Sequence, residues 1–441
     1  MATYNIQYKV NTNVPYNELL YELSLYSEDS TGNKNFVLQS TGKQKLMPDC
    51  KTQIHKTSDI SLTQSMIYIM KINVYRVLAG LDFEVEEEIS IYSLGNYGLG
   101  NSSRDGVCYY ETQQSTKKQN GNDINTYQQY ITRKNEGVFE SSQHPHGDPK
   151  DPFQKSVIES QLQIRGHAAS SRYLGSGDVY PDQGRTMLCG PAVFAYCLMM
   201  DRFDLYKYAI LDLWETGKTR IGSLIIDAKK KNGNDSNKVK KTSLTYLENL
   251  FEWVEQKDSQ GNIIGQVEVQ RIPSIDWIFM ACLRASSNSK MTYDNINDKT
   301  SAITLGDTIA SWFSDVGSKK IFDNLSLLDS NLQDICSLNN YVDSAGHSTH
   351  VISMVSAIML KDGDDSVFLS FKNHWIAWES QLEYKSKNNY QVISFSANKD
   401  AKVKLTCFTW GHVNSDTFKQ DVDLNEFMNC TYGGMVFSKI P

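Results

Sequence analysis

Residues 182–217 read DQGRTMLCGPAVFAYCLMMDRFDLYKYAILDLWETG. A thiol stands just before a Gly-Pro step, and apolar residues at helical spacing follow at once. Proline is tolerated at a first helical position because the N–H it lacks would be unpaired there anyway, so Cys189 falls at the mouth of a helix. Unpaired N–H groups and the positive end of the macrodipole favour thiolate over thiol at such a place, and thiolate is the nucleophile. Ala192, Val193, Phe194, Cys197, Leu198 and Met199 give that helix an apolar face to bury, which would hold the sulfur rigidly. A nucleophile on a fixed helix start needs a base from elsewhere in the chain.

The 441 residues, 40% hydrophobic and 22% charged, are ordinary for a globular chain and long enough for two or three cores. The net charge of −7, from 51 acidic and 44 basic side chains, argues against a protein whose main task is holding nucleic acid. The opening MATYNIQYKV alternates like a strand and lacks the basic-then-apolar order of a leader, so no Sec-type export is expected. The longest apolar runs, such as residues 351–360, are about half the ~20 residues a spanning helix needs, which excludes a membrane span. Eight cysteines, at 50, 108, 189, 197, 282, 336, 407 and 430, show no C-x-x-C pair. Seven of them read as small core hydrophobes, and neither a disulfide frame nor a thiol zinc site is expected.

Along the chain, residues 1–95 carry strand patterns, at 4–10 and again from 65 through 92. Residues 95–151 turn to Gly, Asn, Gln, Ser and His, a loop or linker composition. This divides the chain into a smaller β-rich N-terminal module, 1–150, and a second domain, 151–441. The second domain carries helix signals first, at 243–256, 275–284, 305–313 and 325–338, after the opening pair. A β-rich ending follows, with strands at 351–360, 367–371, 374–379, 392–396 and 403–410. Helices followed by strands give an α+β order.

A cysteine nucleophile wants a histidine within hydrogen-bond reach and an oxyanion donor. His374 opens the strand pattern NHWIAWES, which would fix its imidazole at a sheet edge. His350 heads a second buried strand, THVISMVSAIML, and in that alternative Asn373 would orient it. His412, just after FTWG, is a candidate third member that would orient His374. Gln183 lies six residues before Cys189, the offset of the glutamine that helps form the oxyanion hole in papain-like enzymes.

The segments LCGPAVFAYCLMMDRFDLYKYAILDLWETGKTRIGSLII, SIDWIFMACLRASSN, AITLGDTIASWF, NHWIAWES, CFTWG and LNEFMNCTYGG resemble a group of bacterial papain-like, NlpC/P60-related thiol hydrolase domains. That group is often associated with secretion-delivered toxins. The resemblance spans residues 172–439 and leaves out the N-terminal part. It implies a papain-like cysteine hydrolase domain in which the histidine before Trp is the base, which favours His374 over His350. The group has a shorter connection between its NHW and TWG strands, so residues 381–401 are expected to hold an extra hairpin.

Other signals carry less. His347 with His350, and His144 with His146, lack a Cys or carboxylate at ligand spacing, so no metal is expected. TGKT at 216–219 has Asp212 where a phosphate loop needs glycine. The lysine-rich stretch 229–241 reads as a solvated loop rather than a nucleic-acid patch. The 7 Trp and 24 Tyr fit core and hairpin packing more simply than sugar stacking.

The expected chemistry is attack of Cys189 on an amide carbonyl, with His374 as base and then acid, Gln183 and the Cys189 N–H at the oxyanion, and no cofactor. The resemblance implies a bacterial effector, of the type VI secretion kind, acting on peptidoglycan or a target protein. Its partners would be the secretion machinery and an immunity protein. It would stay in the bacterial cytoplasm until delivered without a signal peptide. A deamidase or transglutaminase on the same chemistry, and a non-catalytic binding protein that kept the fold, are the alternatives.

Overall fold

A computed structural model describes residues 3–29, 32–58, 66–93, 103–110, 136–171, 179–184, 186–228, 242, 244–287, 293, 295–297, 304–326, 328–344, 346–361 and 374–441. Asn5–Thr12 (β1) alternates as its sequence requires, burying Ile6, Tyr8 and Val10. It pairs in parallel with Ser103–Tyr110 and antiparallel with His55–Lys56. Leu19–Glu28 (β2), Ile67–Leu78 (β3) and Leu81–Ser93 (β4) build the other N-terminal sheet, to which Lys34–Leu38 and Gln44–Lys45 add along β2. Tyr26, Ile67, Ile69 and Ile91 of this sheet belong to the same buried cluster as the helices that follow.

The helices begin with Lys155–Ser171 (α1), Cys189–Asp201 (α2) and Phe203–Thr216 (α3). Every residue of α2 from Cys189 to Met200 is buried. The sequence implies an apolar face. The structure wraps the helix on all sides, because the apolar run continues around its whole circumference. Phe194 alone meets Phe279, Trp312 and Phe313, with ring centroids 6.5, 5.7 and 5.3 Å away. Helix α3 is anchored to the N-terminal sheet, since the Tyr26 hydroxyl donates to that of Tyr208 at 2.9 Å and Lys207 pairs with Glu28.

A small hairpin follows, Lys218–Ile221 (β5) with Leu224–Asp227 (β6), and then a longer one, Phe251–Lys257 (β7) with Ile263–Gln270 (β8). The second hairpin corrects the helix expected over 243–256. Leu244, Leu247, Leu250 and Val254 have helical spacing, but an Asp258-centred turn and pairing with β8 override it. Residues 274–287 (α4) form one helix whose middle, Trp277–Ala281, is π-helical. Gly306–Asp315 (α5) matches expectation, whereas the helix expected over 325–338 is confined to Leu332–Asn339 (α6) by the capping box of Asn331 and Asp334.

The C-terminal part is a six-stranded antiparallel sheet. It contains Lys320–Asp323 (β9), Thr349–Val355 (β10), His374–Trp378 (β11), Cys407–Thr409 (β12), His412–Asn414 (β13) and Thr431–Ser438 (β14). Their order is β9-β14-β10-β11-β12-β13. The expected insertion over 381–401 contains a hairpin, Glu383–Ser386 with Asn389–Val392, so the strand expected at 392–396 lies earlier. The architecture is mixed α and β, with several separate sheets, and α2 packs on β11 and β12. Residues 136–153, part of the polar stretch, are folded in: Phe139 and Phe153 are buried, and Glu140–Ser141 pairs with Tyr246–Leu247. The strand expected at 367–371 and the loop 229–241 lie outside the described residues.

Candidate active site

Cys189 is the first residue of α2, and its sulfur accepts the main-chain N–H groups of Trp375, Gly190 and Cys189 itself. These donors favour thiolate, as the sequence suggests. Burial wins, however, and the thiol is pushed up to about 11. The magnitudes agree with that order: a helix terminus contributes at most about 2 kcal/mol, whereas full burial can move a pKa by about 3–5 units, near 1.4 kcal/mol each. The sulfur is a protonated thiol at neutral pH.

The loop before Cys189 is held by a buried network. Asp276 accepts from Arg165 at 2.6 Å, from the Asp182 N–H at 2.9 Å and from the Tyr206 hydroxyl at 3.3 Å. Burial nevertheless pushes Asp276 up to about 6, against the lowering effect of Arg165. Within the loop, Gln183 and Thr186 tie a turn. The Gln183 side-chain amide donates to the Thr186 carbonyl at 2.8 Å, and the Thr186 hydroxyl donates back to the Gln183 carbonyl at 2.7 Å. The Gln183 amide therefore braces its own turn.

His374 begins β11, next to the residue whose N–H meets the sulfur. Trp375 and Ala377 join the core around α2, while Ile376 and Trp378 join a second core on the opposite face. Two-residue alternation places His374 with the latter pair. Its Nε2 lies 2.6 Å from Thr409 Oγ1, and its ring stacks on Trp410 at 4.1 Å. With burial alone acting, its pKa falls to about 3, so the imidazole is neutral. The thiol thus meets the main chain at the start of β11, while the His374 ring lies on the other face of the sheet, where its hydrogen bond goes to Thr409.

The TWG turn closes the arrangement. Trp410 and Gly411 have φ of +42° and +75°, and a Cβ at Gly411 would lie 2.7 Å from Asp182 Cβ. The close approach of backbone to the cysteine loop requires glycine there. Three separate segments, 182–189, 374–375 and 409–411, therefore meet. His412, the candidate third member, pairs across β12–β13 with Thr409, and it is Thr409 that reaches the His374 ring. The Trp375 N–H is not legible beforehand, because a main-chain donor leaves no mark in a sequence, and the Thr409 hydroxyl is singled out only by the pairing of the strands. Asn373 lies outside the described residues.

His350 has other company. Its Nε2 lies 2.6 Å from Asp201 Oδ2 at the end of α2, and its ring shares a side-chain hydrogen bond with Cys197. Burial alone lowers its pKa, but the facing Cys197 sulfur and Asp201 carboxylate raise it well above the usual imidazole range. Burial raises Cys197, so the thiol keeps its proton and Asp201 is the group that holds His350 charged. Cys197 is therefore more than the small core hydrophobe its sequence position suggests. Of the other histidines, His144 pairs with Asp148 and Glu268, and His146 with Asp151. Among the described residues, no group of three or more His, Cys, Asp or Glu is placed to hold a metal ion, and no helix is long and apolar enough to cross a membrane.

In comparison with known proteins, no protein-family model matches the chain and no curated protein matches it.

Proposed function

We propose that the chain is a papain-like cysteine hydrolase that cleaves an amide bond through Cys189. One observation carries this reading: main-chain donors from two distant segments, the start of α2 and Trp375, converge on the Cys189 sulfur. A neutral thiol beside preset N–H groups suits a general-base mechanism. For this, His374, anchored through Nε2 at Thr409, must present Nδ1 across the strand end from its resting face, and regain basicity as substrate enters, to take the thiol proton as the sulfur attacks the carbonyl carbon. The N–H groups of Cys189 and Trp375 would then meet the developing oxyanion, with Gln183 bracing the loop that leads into Cys189. Collapse of the tetrahedral intermediate expels the amine with the proton from His374, and water releases the acyl group from sulfur.

The substrate is an amide of peptidoglycan or of a target protein, and the resemblance of the 172–439 segments supports a delivered bacterial toxin with an immunity partner. The test is Cys189→Ala, scored on peptidoglycan peptides and on candidate target proteins by product mass. Loss of hydrolysis with an unchanged circular dichroism spectrum is expected. Retained activity rejects the mechanism. A mass gain of about one unit on a protein target, or an amine adduct, would reassign the same thiol to deamidation or transglutamination.

A second reading assigns the nucleophile to Cys197, because that thiol shares a side-chain hydrogen bond with a histidine already held by an aspartate. Its position inside α2, at 0% exposure, argues for a structural role. Cys197→Ala should leave hydrolysis largely intact, whereas loss confined to this variant would move the active site.

A further inference from the structure

The faces of the β7–β8 hairpin are largely open to solvent. Trp253, Ile263 and Ile264 are 64%, 60% and 60% exposed, and a two-stranded hairpin alone is marginally stable in water. Polar ties at its base hold it to the folded part of the polar stretch. The Gln143 side chain accepts the Phe251 N–H at 2.9 Å and donates to the Phe251 carbonyl at 3.0 Å. Beside it, the His144 ring meets the Phe251 ring edge to face, with centroids 4.8 Å apart. The His144 Nε2 lies 3.0 Å from a carboxylate oxygen of Glu268 in β8, and its Nδ1 lies 3.2 Å from one of Asp148 in its own loop.

A carboxylate only accepts hydrogen bonds, and a neutral imidazole has one N–H to give. With a carboxylate oxygen at each ring nitrogen, both contacts are made only by the doubly protonated ring. Burial acts to lower the pKa of His144, but the hydrogen bonds to Glu268 and Asp148 outweigh it and raise the group above its ordinary value of 6.5. The charged groups facing the ring are these two carboxylates, while β7 presents the uncharged Phe251 ring. His146, two residues on, has its own partner in Asp151 at 3.1 Å. Loss of a proton from His144 leaves one carboxylate facing a lone pair. Asp148 sits in a fixed turn, where its side chain accepts the Lys150 N–H at 2.8 Å and its main chain bonds Pro145 and Asp151. Glu268, on the exposed hairpin, is therefore the one to part.

We propose that His144 is a proton-operated latch: doubly protonated, it seats the β7–β8 hairpin on the 140–148 segment, and loss of one proton releases the hairpin. The latch acts beside the cysteine loop. Strand β8 runs into Arg271, whose carbonyl lies where a Cβ on Gly184 would stand, and on to Asp276, which holds the Asp182 N–H. Because the docked histidine has the raised pKa, its contribution is fully present below about 6.5 and is lost as pH rises through the docked value. None of this depends on the Cys189 chemistry.

The test is amide hydrogen exchange of the full-length chain between pH 6 and 9, read by mass spectrometry on peptides covering 263–270 and corrected for the intrinsic pH dependence of exchange. Protection there should fall as pH rises above about 6.5, by about tenfold for each unit by which docking raises the histidine. His144→Gln keeps an N–H donor without the charge. It should lower hairpin protection at pH 6 and flatten the pH dependence, while protection in α2 stays that of the parent. Both chains keep His146 and His350, so their difference reports His144. Nitrogen-15 spectra of the parent test the geometry without a substitution: the His144 ring should carry both protons at pH 6 and lose one at a midpoint above 6.5. Equal hairpin protection in the two chains, a flat parent profile, or a His144 midpoint at or below 6.5 would overturn the proposal.

Discussion

The imidazole of His374 lies against the indole of Trp410, with centroids 4.1 Å apart and planes 20° from parallel. The indole is held there by a backbone in the left-handed region, φ +42° at a non-glycine residue, a conformation that costs about 1–2 kcal/mol. The next residue, Gly411, abuts Asp182 of the cysteine loop. Ring, turn and loop form one chain of contacts, so a change at the turn is felt at the imidazole and at the approach to the thiol.

Thr409 is a positioning residue for that ring. Thr409→Val removes the hydroxyl at 2.6 Å from Nε2 while keeping the shape. A hydrogen bond of this kind contributes about 1 kcal/mol, so kcat should fall roughly five- to tenfold with KM little changed, and Thr409→Ser should restore most of it. Steady-state kinetics on the three forms checks this. Equal loss in the serine variant would show that the methyl, and hence packing, is what matters.

The Cys189 thiol, pushed up to about 11 by burial, should alkylate slowly in the resting protein at pH 7. Since thiolate is the reacting form, the rate should climb about tenfold per pH unit through the alkaline range. Iodoacetamide labelling followed by peptide mass analysis gives the profile. A plateau already reached at pH 8 would mean that the N–H donors outweigh burial after all.

How much of this was readable beforehand differs from element to element. Cys189 at a helix start could be read because a Gly-Pro step and apolar spacing act within a few residues. The segment 251–257 could not, since the leucines leading into it, Leu244, Leu247 and Leu250, have helical spacing and only pairing with 263–270 overrides it. His374 could be placed at a strand head, yet its partner could not. His412 is the more conspicuous residue for that role, and the register of β12 on β13 is what brings Thr409 there instead. The thiolate expectation failed for a similar reason: the donors are local, but burial is set by the whole fold.

Gly411→Ala tests the turn. An added Cβ would meet Asp182 and would also occupy φ +75°. The turn must then shift, at an expected stability cost of about 1–3 kcal/mol by urea denaturation. Because Trp410 moves with it, activity should fall more than Thr409→Val causes. Gly411→Ala with unchanged activity would show that the TWG turn is scaffolding only.

His350 gives the sharpest pH signature. Its folded pKa stands well above the unfolded value of about 6.5, held there by Asp201 at 2.6 Å, which also accepts the Ile440 N–H at 2.7 Å. A raised histidine stabilises fully below its unfolded pKa. Above about 6.5 the unfolded chain has released the proton and the folded chain has not, so this contribution declines by about 1.4 kcal/mol per pH unit until the folded group titrates. His350→Asn cannot carry the charge. The stability difference between parent and variant should therefore be constant from pH 5 to 6 and shrink as pH rises from 6.5 to 9, measured by urea unfolding at each pH. A difference that stays flat across that range would mean His350 is neutral in the folded protein and that the Asp201 contact is an ordinary hydrogen bond.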